Sequence, residues 1–404
     1  MPITLLLDLD DTLLNTNMAA FIPAYFKALS AALADKVSPE AMLPALMGGT
    51  QAMLVNQDPA LTLQEVFDAH FFPELKMDRL ALQERIDHFY DEEFPSLGAL
   101  TTPIPEAVRL VDWAFEQGHR VVIATNPLFP LKAIQHRLRW AGLPPEKYPF
   151  AIVTSYETCH FAKEMVAYYP EILAQLGWPD EPAMMVGDDM EREVKPTQAA
   201  GLPVFWVRKA EEVSAEPAGV PQGPLESVRA WLEKAPQQAL KVSFESSSAL
   251  LAALRSTPAA LATLTASLPS EAWRRPPAAG EWSLTEIICH LRDVEREVNL
   301  PRIRKVLEEQ NPFLVGEVTD DWVKERRCAD QDGLRALRDF TDARKQTLAA
   351  LEVLQAEWSR PARHAIFGPT TLQELVGFMA GHDRAHVQQV WKTLPKKYDQ
   401  SALS

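Results

Sequence analysis

Ile3-Thr4-Leu5-Leu6-Leu7-Asp8-Leu9-Asp10-Asp11-Thr12-Leu13 runs five mostly apolar residues into two carboxylates spaced two apart. An apolar run of that length suits a strand buried on both faces of a parallel sheet. In open α/β sheets, ligands bind beyond the carboxyl ends of the strands. Side chains alternate along a strand, so Asp8 and Asp10 point to the same side where this one ends. Two carboxylates meeting there repel each other unless a cation lies between them. The competing reading is a strand running into a helix, with Asp11 or Thr12 as the N-cap.

Downstream of Leu13 the chain reads as helices to about Pro103. Phe21 to Leu33 and Leu80 to Glu93 carry apolar residues at helical spacing, and Gly48-Gly49 and Asn56 to Pro59 punctuate the segment. Strands and helices then alternate. Pro105 to Gln117 is an amphipathic helix stopped by Gly118, and Arg120 to Ala124 is a strand ending at Thr125-Asn126-Pro127. Leu131 to Ala141 is the next helix, Phe150 to Val153 the next strand, and Lys163 opens a helical stretch ending near Gly177. Pro182 to Val186 is a strand that enters Gly187-Asp188-Asp189. Gln198 to Gly201 ends a helix, and Pro203 to Val207 is a last strand. This order predicts an α/β doubly wound parallel sheet with a helical cap over about 14–103. Arg208 to Gly223 reads as loop, and Leu225 to Leu232 as a short helix closing a domain at about 235.

Four strand ends thus bring polar residues to one rim: Asp8 and Asp10, Thr125, Lys163, and Asp188 with Asp189. The set suits phosphoryl transfer through an aspartyl-phosphate, in which one carboxylate attacks phosphorus. A second protonates the leaving oxygen and then activates water. A hydroxyl and an ammonium hold the phosphoryl oxygens, and a divalent cation offsets the charge. Magnesium favours a few carboxylates together with water and substrate phosphate. Singly, each residue has a plain structural reading: Thr125 as a strand-end turn, Lys163 as a solvated helix residue, Asp188-Asp189 as an ordinary turn.

As an ordered set, DLDDTL, the strand ending in Thr125-Asn126, Lys163 and GDDMERE resemble the four motifs of the haloacid dehalogenase (HAD) superfamily over about residues 1–235. The resemblance implies Asp8 as nucleophile, Asp10 as general acid/base, and Thr125 and Lys163 as the phosphoryl clamp. It implies Asp188 as a magnesium ligand together with Asp8 and the backbone carbonyl of Asp10. Members with a helical cap carry it between the first two motifs, where the helical insertion lies here. The family often has a second Asp six residues after the Gly of the last motif; Glu193 stands at that position, and either Glu193 or Asp189 would hold a metal-bound water. Dehalogenases of this superfamily lack the acid at the position of Asp10, so hydrolysis of a small phosphorylated metabolite is expected over carbon–halogen cleavage.

The polar stretch 236–248 reads as an exposed linker, and 249–395 as helical in pattern with no convincing strand, followed by a tail over 396–404. Four helices, Ala249 to Leu268, Ser283 to Glu309, Leu334 to Trp358 and Thr371 to Thr393, predict a four-helix bundle. Two of them open with capping boxes, Ser283-Leu284-Thr285-Glu286 and Thr371-Leu372-Gln373-Glu374. His382 and His386, four apart, share a helix face, and His290 lies two turns into another helix. Facing helices would bring the three imidazoles together with nitrogens about 3–4 Å apart, as a metal site with an open position. Asp293 and Asp383 read as solvated helix carboxylates, with orientation of the metal ligands as the alternative, His364 as a loop residue and Cys289 as core. Glu281-Trp282-Ser283, Cys289-His290-Leu291 and Gly381-His382-Asp383-Arg384-Ala385-His386 resemble the DinB/YfiT-like superfamily over about 245–395. That resemblance implies a four-helix bundle whose three histidines hold a divalent metal, often in a dimer, and some members are metal-dependent thiol transferases; imidazole ligands suit Zn, Ni, Fe or Mn.

Composition narrows the rest. The chain has 404 residues, 47% hydrophobic and 24% charged, with a formal net charge of -15. That balance disfavours binding to nucleic acid or to a membrane surface. Three cysteines, Cys159, Cys289 and Cys328, make no disulfide framework, and a cytoplasmic location fits the absence of a signal peptide. The alternative to a phosphatase is a binding or assembly protein, with the bundle mediating homodimerisation or ligand sensing and the hydrolase site slow or idle.

Overall fold

The computed structural model describes residues 2–209, 211, 219–352 and 357–394. Its strands are β1 (Thr4–Leu7), β2 (Leu14–Thr16), β3 (Thr101–Pro103), β4 (Arg120–Ile123), β5 (Ile152–Val153), β6 (Ala183–Gly187), β7 (Val204–Val207), β8 (Gln222–Gly223), β9 (Phe313–Leu314), β10 (Pro361–His364) and β11 (Gly368–Thr371). Six of them form a parallel sheet in the order β5-β4-β1-β6-β7-β8. The strand that carries Asp8 is therefore central, and all four of its residues are buried. The alternation of side chains divides its two faces. Leu5 and Leu7 pack with Val121, Ile123 and Val186 on one side, and Leu6 packs with Val122 and Met185 on the other.

Between β2 and β3 lies the cap. Its helices are α1 (Met18–Ala32), α2 (Pro39–Leu54), α3 (Leu63–Leu75) and α4 (Arg79–His88), the last continuing into a π-helical turn, Phe89–Glu93. The expected break at Gly48-Gly49 does not occur, because both glycines lie inside α2. Gly49 serves close packing instead: a Cβ there would press into the Phe67 ring of α3, at 2.7 Å. β2 and β3 pair antiparallel at the base of the cap, a junction too short to show as a periodic pattern.

Helices α5 (Pro105–Glu116), α6 (Leu131–Trp140), α7 (Tyr168–Gln175), α8 (Lys195–Ala199) and α9 (Ser227–Leu232) flank the sheet. Beyond them come α10 (Ser247–Thr265), α11 (Ser270–Arg274), α12 (Leu284–Val294), α13 (Leu300–Glu308), α14 (Trp322–Glu325), α15 (Gly333–Glu352) and α16 (Leu372–Thr393). α12 and α13 are joined through a π-helical turn, Glu295–Asn299. α10, the α12–α13 run, α15 and α16 pack as four helices around a common core. Both expected capping boxes are present, at Ser283/Glu286 and Thr371/Glu374. The end of the third expected helix falls partly on 353–356, and the expected tail 396–404 lies outside the described residues altogether. Residues 210 and 212–218 of the expected loop lie outside them too.

The bundle region is not purely helical. β9, β10 and β11 form a small sheet, with β10 antiparallel to β11 and parallel to β9. Strands of two and four residues are too short for a period-2 signal, and Pro361, Gly368 and Pro369 read as loop. His364 is consequently a buried strand residue, its Nδ1 accepting from the Ile366 N–H at 3.1 Å.

The segment 236–248 is also more tightly held than a free exposed linker. Leu240 is buried, the Ser243 N–H donates to the Gly201 carbonyl at 2.8 Å, and Phe244 meets Trp178 edge to face. The reason is α7. All eight of its residues are buried, because the sheet covers one side and α10 the other. Gly177, at φ +74, admits Trp391 of α16 where a Cβ would collide with the indole. One hydrophobic core therefore runs from Leu6 and Met185 of the sheet through Ile172 to Leu254 and Val390 of the bundle.

Candidate active site and candidate metal centre

β1 ends at Leu7, and the chain then turns sharply. The Leu13 and Leu14 N–H groups both donate to the Leu9 carbonyl, and Asp11 sits in the left-handed region at φ 59. This turn leaves Asp8 buried at the strand end and Asp10 facing the cap side. β6, the neighbour of β1, delivers Asp188 beside it. The π-helical turn Met190–Val194 then folds Glu193 back over Gly187, where a Cβ would collide with the Glu193 carboxylate. One oxygen each from Asp8, Asp188 and Glu193 lies within 4.8 Å of the others.

Lys163 stands in the turn before α7, fixed by its N–H donating to Asn126 Oδ1 at 3.2 Å. Its ammonium donates to Asp8 Oδ1 and, at 2.7 Å, to Glu193 Oε1. Burial works against that charge, but the two carboxylates outweigh burial and hold the lysine protonated. Burial pushes the Asp8 carboxyl up, with Asp10 adding to the rise and Lys163 opposing it. Burial and the charge of Asp8 raise Asp188 to about 7. Glu193 is pushed well above the usual carboxylate range, first by burial and then by Asp8. Two buried carboxylates, the half-buried Asp188 and one ammonium leave an excess of negative charge, which a divalent cation would offset.

Thr125 is buried at the end of β4, and its carbonyl accepts from Thr154 Oγ1 and the Tyr168 hydroxyl, both at 2.8 Å. Asp189 is placed differently from Glu193: its carboxylate caps the π-helical turn, accepting from the Glu191 and Arg192 N–H groups at 2.8 and 2.9 Å. Asp10 forms an ion pair with Arg137, a residue the sequence reading passed over. Arg137 is 1% exposed and lies over the Phe129 and Phe21 rings. A signal for it was present. In Leu131-Lys132-Ala133-Ile134-Gln135-His136-Arg137-Leu138, position 137 falls on the apolar stripe of 133, 134 and 138. Two further partners were also missed: Thr12 Oγ1 donates to Asp188 Oδ1 at 3.3 Å, and Trp206 Nε1 donates to the Asp188 carbonyl at 2.8 Å. Asp8, Asp10, Thr125, Lys163, Asp188 and Glu193 line the floor of a cavity of about 570 Å³ whose walls and roof belong largely to α1, α2, α3 and α4.

The second cluster lies in the bundle. α12 presents His290, and α16 presents His382 and His386 one turn apart. His290 Nε2 and His386 Nε2 each lie 3.1 Å from His382 Nε2. His386 Nδ1 pairs with Gln389 Oε1 at 2.9 Å, which turns the Nε2 lone pair toward the cluster. Trp282, just before the Ser283 cap, stacks on His386 at 5.9 Å and tilts against His290 at 5.0 Å. Burial pulls His290 and His382 down to about 3, with the neighbouring imidazoles adding to it. Burial also lowers His386. Neutral imidazoles converging on one point are the form that binds a transition metal.

Two carboxylates expected to be solvated are buried. Asp293 pairs with Arg292 and Arg326. Asp383, beside His382, pairs with Arg344, which also forks onto Glu295 at 2.9 and 2.8 Å and donates to the Leu254 carbonyl at 3.0 Å. Arg344 of α15 thereby ties together α10, α16 and the π-helical turn between α12 and α13. Cys289 is buried, as expected of a core residue.

Comparison with known proteins follows this division. The haloacid dehalogenase-like hydrolase family matches residues 4–201, and the DinB superfamily matches 253–390. Among curated proteins, the uncharacterized protein YuaE of Bacillus subtilis is 24% identical over 149 residues, covering 33% of this chain and 90% of its own. Among solved structures, a HAD phosphatase from Thermococcus onnurineus is 18% identical, with TM-score 0.37, covering 57% of this chain and 98% of that one. A 2-haloacid dehalogenase from Pseudomonas syringae is 19% identical, with TM-score 0.41, covering 58% and 100%. YfiT from Bacillus subtilis, described with an unusual four-helix bundle topology, is 19% identical, with TM-score 0.34, covering 38% and 88%. Residues 4–201 thus match the haloacid dehalogenase-like hydrolase family, and residues 253–390 match the DinB superfamily.

Proposed function

We propose that this chain is a magnesium-dependent phosphoric monoester hydrolase acting on a small phosphorylated metabolite. The observation that carries the reading is the meeting of Asp8, Asp188, Glu193 and Lys163 on the floor of the cap-covered cavity. The donor set fits a hard divalent cation: all three carboxylates are pushed up by burial and mutual repulsion, which such a cation relieves. Asp8, Asp188 and the Asp10 carbonyl would hold it, with Glu193 rather than the capping Asp189 on the far side. When bound, magnesium supplies positive charge at the phosphoryl oxygens.

The chain's own residues do the rest. The Asp8 carboxylate forms a bond to phosphorus, and the ester P–O bond breaks with its electron pair passing to the leaving oxygen. The Asp10 carboxyl gives that oxygen its proton. Asp10, now a carboxylate, takes a proton from a water that attacks the aspartyl-phosphate, releasing phosphate and restoring Asp8. Lys163 and Thr125 hold the phosphoryl oxygens throughout. In this reading residues 1–235 make up the hydrolase unit and residues 249–395 the second, in which His290, His382 and His386 would hold zinc, nickel, iron or manganese, a metal that would serve hydrolysis or thiol transfer. Three buried free thiols suit a reducing cytoplasm.

A panel of phosphate esters assayed with magnesium, wild type beside Asp8→Asn, tests the reading. Wild-type turnover that falls at least about a thousandfold in Asp8→Asn is expected, the scale set by loss of a covalent nucleophile. Equal background release in both proteins would overturn it.

A further inference from the structure

The cavity above the phosphoryl site is one space from the carboxylate floor to the cap roof. Its upper walls carry apolar side chains, half of them aromatic: Ile22, Tyr25 and Leu29 of α1, Leu46 of α2 and Phe67 of α3 from the cap, and Phe129 from the segment before α6. Several of the polar groups that reach its walls are already paired with one another. The hydroxyls of Tyr25 and Tyr90 share a hydrogen bond at 2.7 Å. Arg79 forms an ion pair with Asp68 and donates to Gln83 Oε1 at 3.0 Å, and Gln83 Nε2 donates to Asp87 Oδ1 at 3.0 Å. A polyhydroxylated substrate entering here would lose water from its hydroxyls and break these pairs to replace it. An apolar body would displace water from apolar walls at no such cost.

From this we infer that the site takes phosphomonoesters of apolar, ring-sized alcohols and discriminates against sugar phosphates. The inference rests on the phosphatase reading for the chemistry but concerns the body of the substrate, not its phosphate. The volume, about 570 Å³, is sufficient for a phosphoryl group and one aromatic or branched aliphatic body. The charged groups on the walls, Arg79 with Asp68 and Lys132 with Asp91, are paired already, so a charge at the far end of a substrate would have to displace one of them.

The discriminating pair is 2-phenylethyl phosphate and glucose 6-phosphate, both phosphates of primary alcohols and so similar in leaving group. With the magnesium-loaded full chain, kcat/KM should favour the phenylethyl ester at least about a hundredfold, since an apolar pocket already rejects a single added hydroxyl by about that factor. Calorimetric binding of both esters to Asp8→Asn separates the two ideas. Tighter binding of the phenylethyl ester without turnover in the wild type sustains this inference while removing the phosphatase reading. Parity, a preference for the hexose phosphate, or no binding of either ester overturns the inference. Ile22→Asn, a half-buried wall position, should weaken the phenylethyl ester about tenfold and leave inorganic phosphate binding unchanged, with Ile22→Leu restoring the wild-type value. Equal weakening of both ligands by Ile22→Asn, or none of either, would also count against it.

Discussion

Arg137 brings a second positive charge to a site in which carboxylates outnumber cations. Its guanidinium is buried between the Phe21 and Phe129 rings and aimed at Asp10, so in the proposed reaction it would position that carboxyl. Methionine at this position would keep the volume and remove the charge. Arg137→Met should lower kcat at least about tenfold with little change in KM, because a misplaced acid is felt in the transition state and not in substrate binding. Steady-state kinetics on the best ester of the panel reads this directly, and a change confined to KM would contradict it. The histidine cluster makes a separate residue-scale prediction. His290 and His382 are depressed to about 3 when no metal is bound. An unfolded histidine takes up a proton near pH 6.5, so the unfolded chain binds more protons than the folded one as pH falls from 6.5 toward 3. Metal-free protein therefore loses stability on that side, by roughly 1.4 kcal/mol per histidine at pH 5.5. In His382→Leu, urea denaturation at pH 7.5 and 5.5 should show a pH-dependence smaller by about that amount, and metal analysis should show the bundle metal absent.

At the scale of elements, the bundle is held by packing and by one buried charge network. α15 carries Arg344 in the middle of an apolar stripe, with Phe340 one turn before it and Leu348 one turn after. Its partners Glu295 and Asp383 are equally buried, and Asn299 donates to Glu295 at 3.0 Å. The π-helical turn at Glu295–Asn299 is where the helix widens to present that carboxylate. Arg344→Leu would leave two carboxylates in the core without a counter-charge, at a cost of about 3–5 kcal/mol. Arg344→Lys should recover only part of this, since an ammonium cannot fork onto both carboxylates. Chemical denaturation of the three proteins measures the order. The same substitution should disturb metal binding, because Asp383 immediately follows His382 on α16.

At the scale of the whole molecule, the two regions are not beads on a string. α7 is buried on every side, and α10 supplies the cover that the sheet does not. The bundle also grips the loop between α2 and α3 of the cap: Arg255 donates to the Gln57 carbonyl at 2.8 Å, and Lys345 pairs with Asp58 at 2.6 Å. Asn56 on that loop donates to the His160 carbonyl at 2.8 Å, and His160 in turn pairs with Glu171 of α7. A fragment ending at Ala235 would expose Ile172, Leu173 and Trp178 together, an apolar face that water does not tolerate at that size. It should accumulate as aggregate or bind a hydrophobic dye, while the full chain does neither. A soluble fragment with full magnesium-dependent activity would show the shared core to be dispensable. No helix among the described residues is long and apolar enough to cross a membrane.

Much of this was legible in the order of residues. Leu5-Leu6-Leu7 is uniformly apolar because β1 is buried on both faces, and Asp8 follows because a strand end is where the sheet opens. Helix caps at Ser283 and Thr371 are local hydrogen bonds, so a four-residue motif determines them, and they in turn set the phase that places His290, His382 and His386. Only the tertiary structure decided the rest. Whether Glu193 or Asp189 joins Asp8 depends on a π-helical turn that swings one inward and leaves the other as a cap. Asp293 and Asp383 look like surface carboxylates by composition, and only the arginines that meet them in space make their burial tolerable. Arg137 and Arg344 lie on apolar stripes, which betrays their burial but not their partners, 127 and 39 or more residues distant in sequence from Asp10 and from Asp383. The stretch 236–248 resembled a tether because polar residues outnumber its few apolar ones, Leu240, Val242 and Phe244 among them. What binds it down is α7, whose outer face is apolar for a partner 80 residues further along the chain. Local sequence specifies local geometry, and burial is a property of what arrives from elsewhere.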